Sequence, residues 1–178
     1  YTNATPLGGY VSEYTGLATG KFLGMSYLVW IAILVGVITW FIFNMTRHGK
    51  YMYAIGGNPQ AAVVSGINVA TTLIAIYVIA GVLYGVGGIL EAARTGGATN
   101  NYGNMYELDA IAAAVVGGVS VTGGIGTVQG IIAGVLIFTV INYGLTFVGM
   151  GPYWQLIIKG LIIVIAVAVD VRKYLARK

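Results

Sequence analysis

The 178-residue chain is 58% hydrophobic and only 8% charged, whereas a soluble globular domain carries about 25% charged residues. Three long segments contain no Asp, Glu, Lys or Arg: residues 27–46, 69–90 and 110–158. Glycine supplies 28 residues and lies among Val, Ile, Leu and Ala, as in closely packed membrane helices. The composition argues against a soluble fold and predicts an all-α polytopic transmembrane helical bundle surrounded by the lipid bilayer.

The net charge of +4 does not indicate a nucleic-acid partner, because the basic residues form no stripe interleaved with aromatic side chains. They follow apolar segments instead. Arg47 and Lys50 follow the first apolar segment, and Arg172, Lys173, Arg177 and Lys178 follow the last. Under the positive-inside rule both groups mark cytoplasmic ends, which predicts a cytoplasmic C-terminus.

Four apolar segments are predicted to cross the membrane, because about 20 helical residues span the hydrocarbon core. In chain order they are residues 27–46, 69–90, 124–148 and 153–169. Gly126, Gly130 and Gly134 in the third segment, and Gly81 and Gly85 in the second, recur every four residues. This spacing predicts close approach of neighbouring helix backbones.

The positions of the basic residues require a fifth crossing, in which the chain returns inward after Arg94. The apolar residues available there, 110–122, cover only about 20 Å as a helix, so this crossing is predicted to be short or broken. Non-helical backbone at membrane depth is tolerated where it is buried in protein or lines a watery cavity. Residues 96–122 are therefore predicted to border a polar pathway. The alternative is a re-entrant loop without a transport role.

The chain lacks the motifs of an enzyme. Its two Gly-Lys pairs, which end at Lys21 and Lys50, are followed by Phe22 and Tyr51 where a phosphate-binding loop needs Ser or Thr. No cysteine is present, and the single histidine has no clustered carboxylates nearby. No catalytic residue, no metal site and no cofactor bound by this chain are predicted.

Residues 47–68 contain a capped helix. Asn58 is a good N-cap, Pro59 suits the first helical position, and Gly66 can adopt the left-handed conformation after the last turn. The helix is too short to cross the membrane and is flanked by a predicted turn at Gly56 and Gly57, so it should lie along the cytoplasmic surface. It is either a knob for a partner's groove or an interfacial connector.

This segment resembles the coupling loop of ATP-binding-cassette importer permeases, in which an Ala-Ala pair followed by a glycine forms the helix that docks into the ATPase subunit. Gln60, Ala61, Ala62 and Gly66 match this pattern, with Gln60 where many of these permeases carry Glu. The resemblance implies an ATPase-coupling site that comprises Asn58, Pro59, Gln60, Ala61, Ala62, Ser65 and Gly66.

Further segments are similar to the ribose/xylose/galactose family of monosaccharide permeases, and most similar to its galactose and methyl-galactoside branch. They are residues 53–58, 65–69, 99–101, 105–113, 116–120 and 141–146. The resemblance implies the transmembrane subunit of an ATP-binding-cassette sugar importer. Galactose or a methyl galactoside is favoured as cargo, and ribose and xylose are the alternatives.

The resemblance also implies an organisation and a set of partners. The chain would be the C-terminal part of a single permease domain, with residues 1–26 as an extracytoplasmic loop and residues 47–68 as the cytoplasmic coupling loop. The partners would be a cytoplasmic ATP-binding subunit that holds the ATP, a periplasmic sugar-binding protein and a second permease copy in a homodimer. The location would be the bacterial inner membrane.

Four polar side chains are predicted to lie along the sugar pathway. Asn100 and Asn101 precede the short crossing, and Thr139 and Asn142 share one face of the following span. Amides and hydroxyls suit an uncharged cargo rich in hydroxyl groups. The alternative for Asn142 is a hydrogen bond to another helix.

A secondary transporter is the competing functional class, and it would require ionisable coupling groups inside the membrane. Lys159 is the candidate. It is predicted either to reach the outer interface or to pair with Glu91, Glu107 or Asp109.

Overall fold

The computed structural model describes residues 7–175, which form eight helices and two small antiparallel sheets. The helices are α1 (Ser12–Thr19), α2 (Tyr27–Met45), α3 (Arg47–Gly57), α4 (Pro59–Val64), α5 (Val69–Thr95), α6 (Tyr106–Val116), α7 (Val128–Phe147) and α8 (Pro152–Leu175). Strand β1 (Leu7–Gly8) pairs with β4 (Gly97–Ala98), and β2 (Lys21–Phe22) pairs with β3 (Met25–Ser26).

Contacts divide the chain into two compact units. The first is built from the described residues of Tyr1–Phe41 and from Ala70–Tyr102, and the second from Ile42–Val69 and the described residues of Gly103–Lys178. Each unit therefore combines two separate stretches of sequence.

Four helices are long and apolar enough to cross a membrane, which confirms the four predicted spans. They are Tyr27–Met45, Val69–Thr95, Val128–Phe147 and Pro152–Arg172. Three ends differ from the prediction by more than one residue, and one of them is the end of α8, which lies at Leu175 and not at residue 169. Helix α5 continues to Thr95. In its last turn Arg94 Nη1 lies 3.8 Å from Glu91 Oε2. Helix α7 begins only at Val128.

The late start of α7 follows from its backbone. Gly123 and Gly124 have φ values of 96° and 72°, which a right-handed helix does not accommodate. Thr127 then caps the helix, because its hydroxyl accepts a hydrogen bond from the Gly130 amide at 3.0 Å. Gly126 consequently precedes the helix, and its predicted place on a helical face with Gly130 and Gly134 is wrong.

The core of the second unit lies where α6 packs against α7 and α8, around Ala112, Ala113 and Phe138. A Cβ atom added at Gly134 would overlap the Ala113 carbonyl oxygen, and one at Gly130 would overlap the Gly117 carbonyl oxygen. The predicted close approach is thus confirmed for Gly130 and Gly134.

The other predicted glycine pair behaves differently. A Cβ atom added at Gly81 or Gly85 of α5 would meet no atom within 4 Å among the described residues. The predicted packing at these two positions is not present in this part of the chain.

The segment predicted as a short crossing contains one short helix. Helix α6 has 11 residues, which amounts to about 16 Å, and residues 117–127 after it form turns and irregular backbone. The structure therefore agrees with a short, broken element. That this element crosses the membrane stays a prediction.

Helix α3 is an element that the sequence did not predict. Its N-cap is Thr46, whose hydroxyl accepts a hydrogen bond from the Gly49 amide at 3.2 Å. Gly56 and Gly57 are its last residues, so the turn predicted at these glycines is wrong. The helix ends at Gly57 and Asn58 has extended backbone, because the following Pro59 disfavours helical backbone in the residue before it.

In the first unit, residues 7–26 contain more than the loop that was predicted. Helix α1 is attached to α5, because the Tyr14 hydroxyl donates a hydrogen bond to the Ile89 carbonyl at 2.7 Å. The β2–β3 hairpin is attached to α2, because Trp30 Nε1 donates to the Phe22 carbonyl at 3.1 Å. Residues 1–6 of the predicted extracytoplasmic loop lie outside the described residues.

Candidate functional site

Asn58 joins the two helices of the coupling segment, residues 47–68. Its backbone amide donates to the Ala54 carbonyl at 3.0 Å and closes α3. Its side-chain Oδ1 accepts a hydrogen bond from the Ala61 amide at 3.0 Å and opens α4, with Pro59 in the first turn. The structure confirms the predicted cap, and one exposed residue fixes the angle between α3 and α4.

The other end of α4 is closed by a Schellman motif. The Gly66 amide donates to the Val63 carbonyl at 2.9 Å, and the Ile67 amide donates to the Ala62 carbonyl at 3.0 Å. Gly66 has φ of 81°, the left-handed conformation predicted for it. The Ser65 hydroxyl also donates to the Ala61 carbonyl at 2.9 Å. Hydrogen bonds therefore fix both ends of this six-residue helix.

The two faces of α4 differ. Ala62 is only 3% exposed, whereas Val63 and Val64 are 59% and 88% exposed. Gln60 and Ala61 are exposed as well. A short helix with rigid ends thus presents two valines on its open side, which is the kind of surface that a partner's groove covers.

Helix α3 is attached to residues 117–127, which we call the glycine segment. The Tyr53 hydroxyl donates to the Gly126 carbonyl at 2.9 Å. A Cβ atom added at Gly56 would lie 2.6 Å from the Gly124 amide nitrogen, so the two backbones are in direct contact. The coupling segment therefore bears on the connection between α6 and α7.

The glycine segment is attached in turn to α8 through Asp170. Asp170 Oδ2 accepts a hydrogen bond from the Ser120 hydroxyl at 2.7 Å and another from the Val121 amide at 3.1 Å. The Thr122 hydroxyl lies 2.8 Å from that of Ser120. Because the Ser120 proton goes to Asp170, Thr122 donates to Ser120.

Lys159 and Asp109 form an ion pair between α8 and α6. Lys159 Nζ lies 2.7 Å from Asp109 Oδ1 and donates a hydrogen bond to Oδ2 at 3.0 Å. The Lys159 side chain is 14% exposed and that of Asp109 is 32% exposed, and the ammonium lies 5.9 Å from the centre of the Phe138 ring. Of the two predicted alternatives for Lys159, pairing with Asp109 is confirmed.

The four predicted pathway residues fall into the two units. Asn100 and Asn101 are exposed in the turn after β4 and belong to the first unit. Thr139 and Asn142 lie on α7 in the second, where Thr139 is exposed. The Asn142 Oδ1 atom is buried and accepts no hydrogen bond from the described residues. Their role in a pathway stays a prediction.

Two features of this site were not identified from the sequence. Tyr53 and Gly56 contact residues about 70 positions later, and Asp170 was assigned only to the end of the last span. The available signals were the Gly123-Gly124 pair and a carboxylate that directly follows an apolar segment. Among the described residues, no group of three or more potential metal ligands occurs.

The helical architecture, the four long apolar helices and the capped segment between two of them define a multi-pass membrane protein. A family model described as "Branched-chain amino acid transport system / permease component" matches residues 3–167. The chain belongs to this family of permeases.

Relatives at high identity carry sugar-permease names. The chain is 56% identical over 178 residues to the galactose/methyl galactoside import permease protein of Haemophilus influenzae, covering 98% of this chain and 53% of the relative. It is 54% identical over 182 residues to that of Escherichia coli K12, covering 100% and 54%. The ribose import permease protein of Escherichia coli K12 is 41% identical over 177 residues, covering 97% and 55%.

The chain thus spans about half the length of the curated relatives that it matches. No solved structure matches it.

Proposed function

We propose that this chain is part of the transmembrane subunit of an ATP-binding-cassette monosaccharide importer in a bacterial inner membrane. Galactose or a methyl galactoside is the favoured cargo, because the galactose/methyl galactoside permeases of Haemophilus influenzae and Escherichia coli K12 are 56% and 54% identical to the chain, whereas the ribose permease of Escherichia coli K12 is 41% identical. Ribose or a related sugar is the second candidate. ATP is bound by a separate subunit, and this chain itself holds no cofactor.

The observation that carries the proposal is the geometry of α4. A rigid helix with both ends hydrogen-bonded and with Val63 and Val64 exposed fits a groove on a cytoplasmic ATP-binding subunit. Ala62 faces inward and holds the helix in place, so Gln60, Ala61 and the two valines form the docking face. The other four residues of the predicted coupling site, Asn58, Pro59, Ser65 and Gly66, shape the helix ends.

The arrangement of α6, α7 and α8 supports the proposed orientation. Gly117 meets Gly130 and Ala113 meets Gly134, so α6 runs antiparallel to α7. The glycine segment at the end of α6 therefore lies at the same end of this unit as the start of α7 and the coupling segment that contacts it. This agrees with an inward return of the chain through α6 and with a cytoplasmic C-terminus.

A neutral sugar fits the polar groups available on α7. The buried Asn142 Oδ1 has an unused acceptor site, and Thr139 offers an exposed hydroxyl one turn earlier. Sugar hydroxyls donate and accept hydrogen bonds and carry no charge. The complete importer would further contain a periplasmic sugar-binding protein and a second permease copy in a homodimer.

The proposal is tested by Ala61→Trp in the complete permease, with Ala54→Trp as the matched control. Both alanines are exposed, but Ala61 lies on the docking face and Ala54 on α3. We expect Ala61→Trp to lower both the recovery of the co-purified ATP-binding subunit and the ATPase stimulation by sugar-loaded binding protein by about tenfold, which corresponds to about 1.4 kcal/mol. Ala54→Trp should leave both unchanged.

Equal recovery and stimulation in the two variants would contradict the assignment of the docking face. If the parental permease recovers no ATP-binding subunit, the importer function itself is wrong. The cargo is identified separately, by the uptake of labelled galactose in competition with unlabelled ribose or unlabelled galactose. Stronger inhibition by ribose than by galactose would reverse the proposed order of sugars.

A further inference from the structure

The glycine segment contacts three elements at once. Tyr53 and Gly56 attach it to α3, Gly117 packs on Gly130 of α7, and Asp170 attaches it to α8. Each of these elements is a helix, and the segment between them is short. A displacement of the coupling segment therefore reaches α7 and α8 through residues 117–127.

The glycine segment and α3 are in direct backbone contact. The Gly56 and Gly124 backbones touch without intervening side chains: a Cβ on Gly56 would collide with the Gly124 backbone, and one on Gly124 would collide with the Gly57 backbone. Close-packed backbone transmits displacement because it has no side chain that can change rotamer. Movement at the end of α3, next to the docking helix α4, is thus passed on to Gly124 and Gly126.

The contact with α8 depends on one carboxylate. Asp170 accepts two hydrogen bonds through a single oxygen, from a hydroxyl and from a backbone amide, and such charge-assisted bonds are about twice as strong as neutral ones. Asp170 directly follows the apolar residues 153–169 of α8 and is half-buried. A partly buried carboxylate is costly unless hydrogen bonds compensate for the lost water, and the two bonds from the glycine segment do so.

Asp170 has a counterpart three turns earlier. Asp109 and Ser120 are eleven residues apart, and so are their partners Lys159 and Asp170 on α8. Eleven residues correspond to about three helical turns, so both contacts lie on the same face of α8. Helix α8 thus holds α6 at one end and the glycine segment at the other, and α6 and α8 shift together.

We propose that Asp170 is a positioning residue that couples the docking helix α4 to α8, so that movement of the docked helix enters the membrane part through the glycine segment. This inference rests on the proposed function, because it requires an ATP-binding subunit on α4. The inference goes beyond the proposed function because it names the route by which the movement is transmitted. This route consists of the contacts of residues 117–127, in addition to the direct chain continuity of α3 with α2 and of α4 with α5.

The test uses Asp170→Ala and Asp170→Asn in the complete importer. Asn keeps an oxygen that accepts the Ser120 and Val121 hydrogen bonds, whereas Ala removes both. We expect Asp170→Ala to lower sugar uptake per ATP hydrolysed by about tenfold while the ATP-binding subunit still co-purifies at the parental level. Asp170→Asn should restore at least half of the parental ratio. A purely structural role predicts loss of assembled protein instead of a changed ratio.

A second variant covers the case in which Asp170→Ala does not assemble. Tyr53→Phe removes only the hydroxyl that binds Gly126, at the opposite end of the same route. We expect it to lower the same ratio, and in the double variant with Asp170→Asn the two effects should be less than additive, because both interrupt one connection. Additive effects, or parental coupling in Tyr53→Phe and in an assembled Asp170→Ala, would overturn the inference. Neither result affects docking at Ala61, so the proposed function is tested separately.

Discussion

Lys159 illustrates what a single charged residue requires inside an apolar helix. Its sequence position allowed two solutions, namely reaching the interface or pairing with a carboxylate, and the structure shows the pair with Asp109. Bringing two charges out of water is expensive, and their attraction offsets the cost only when the geometry is good. The 3.0 Å hydrogen bond to Oδ2 meets this condition, whereas Oδ1 adds a 2.7 Å ion-pair contact without hydrogen-bond geometry.

Removal of one member of this pair should therefore cost more than removal of both. We expect Lys159→Met to destabilise the permease by about 1–3 kcal/mol, below the 3–5 kcal/mol typical of fully buried pairs, because Asp109 is about one-third exposed. The double variant with Asp109→Leu should recover most of the loss. The measurement is the thermal unfolding midpoint of the purified complex in detergent. If the double variant lost as much stability as the two single variants together, the attraction between the two charges would not be what stabilises this contact.

At the scale of single residues, the sequence was informative wherever the chemistry is local. Asn58, Pro59 and Gly66 occupy the predicted positions because caps and left-handed turns depend on neighbouring residues only. Asp170 and Tyr53 were not recognised because their partners lie about 50 and 70 residues away. The pairing of such residues is fixed by the packing of helices, which a local pattern does not contain.

Among the elements, the long spans were predictable and the short helices only partly so. Hydropathy and length identify α2, α5, α7 and α8, because the bilayer sets both quantities. Helix α3 was not predicted because its 11 residues include three glycines together with Arg47, His48 and Lys50. Only its cap at Thr46 and the Pro59 that follows it mark its two ends. The short length of α6 was predictable from its limited apolar sequence.

The close contact of α6 with α7 requires glycine on α7, because the two backbones leave no space for a Cβ atom. We expect Gly134→Ala to destabilise the permease by about 1–3 kcal/mol, as overpacking does in close-packed cores, because the added Cβ would overlap the Ala113 carbonyl oxygen. Gly144→Ala on the same helix is the matched control, since its Cβ would meet no atom within 4 Å in the described part of the chain. Thermal unfolding of the two variants is compared side by side.

The control sets the direction of the result. Alanine favours a helix over glycine by about 1 kcal/mol, so Gly144→Ala should be neutral or slightly stabilising. If both variants unfold at the same temperature, the close approach of α6 and α7 at Gly134 is not as tight as the structure shows.

For the molecule as a whole, the two units alternate along the chain. Each unit consists of two stretches that are separated in sequence by a stretch of the other unit, so neither can be excised as a continuous segment. The coupling segment is part of the same unit as α6, α7 and α8, and the described residues 7–26 of the loop predicted at 1–26 are part of the other. This division places the proposed ATPase-docking surface and the two polar contacts of α8 in one compact body.

The sidedness of α6 decides between a crossing and a re-entrant loop, and it is directly measurable. The chain contains no cysteine, so single cysteines can be introduced at Lys50, Tyr102 and Val121 in a background without other thiols. All three residues are exposed, and the last two flank α6. An impermeant thiol reagent added to intact cells should label the cysteine at position 102 and should reach positions 50 and 121 only after the inner membrane is opened.

Labelling of 102 and 121 from the same side would show that α6 does not cross. In that case the predicted inward return of the chain would be wrong. Only α5 and α7 would then cross between Lys50 and the start of α8, so α8 would begin on the inside and Arg172 at its other end would lie outside, contrary to the positive-inside rule.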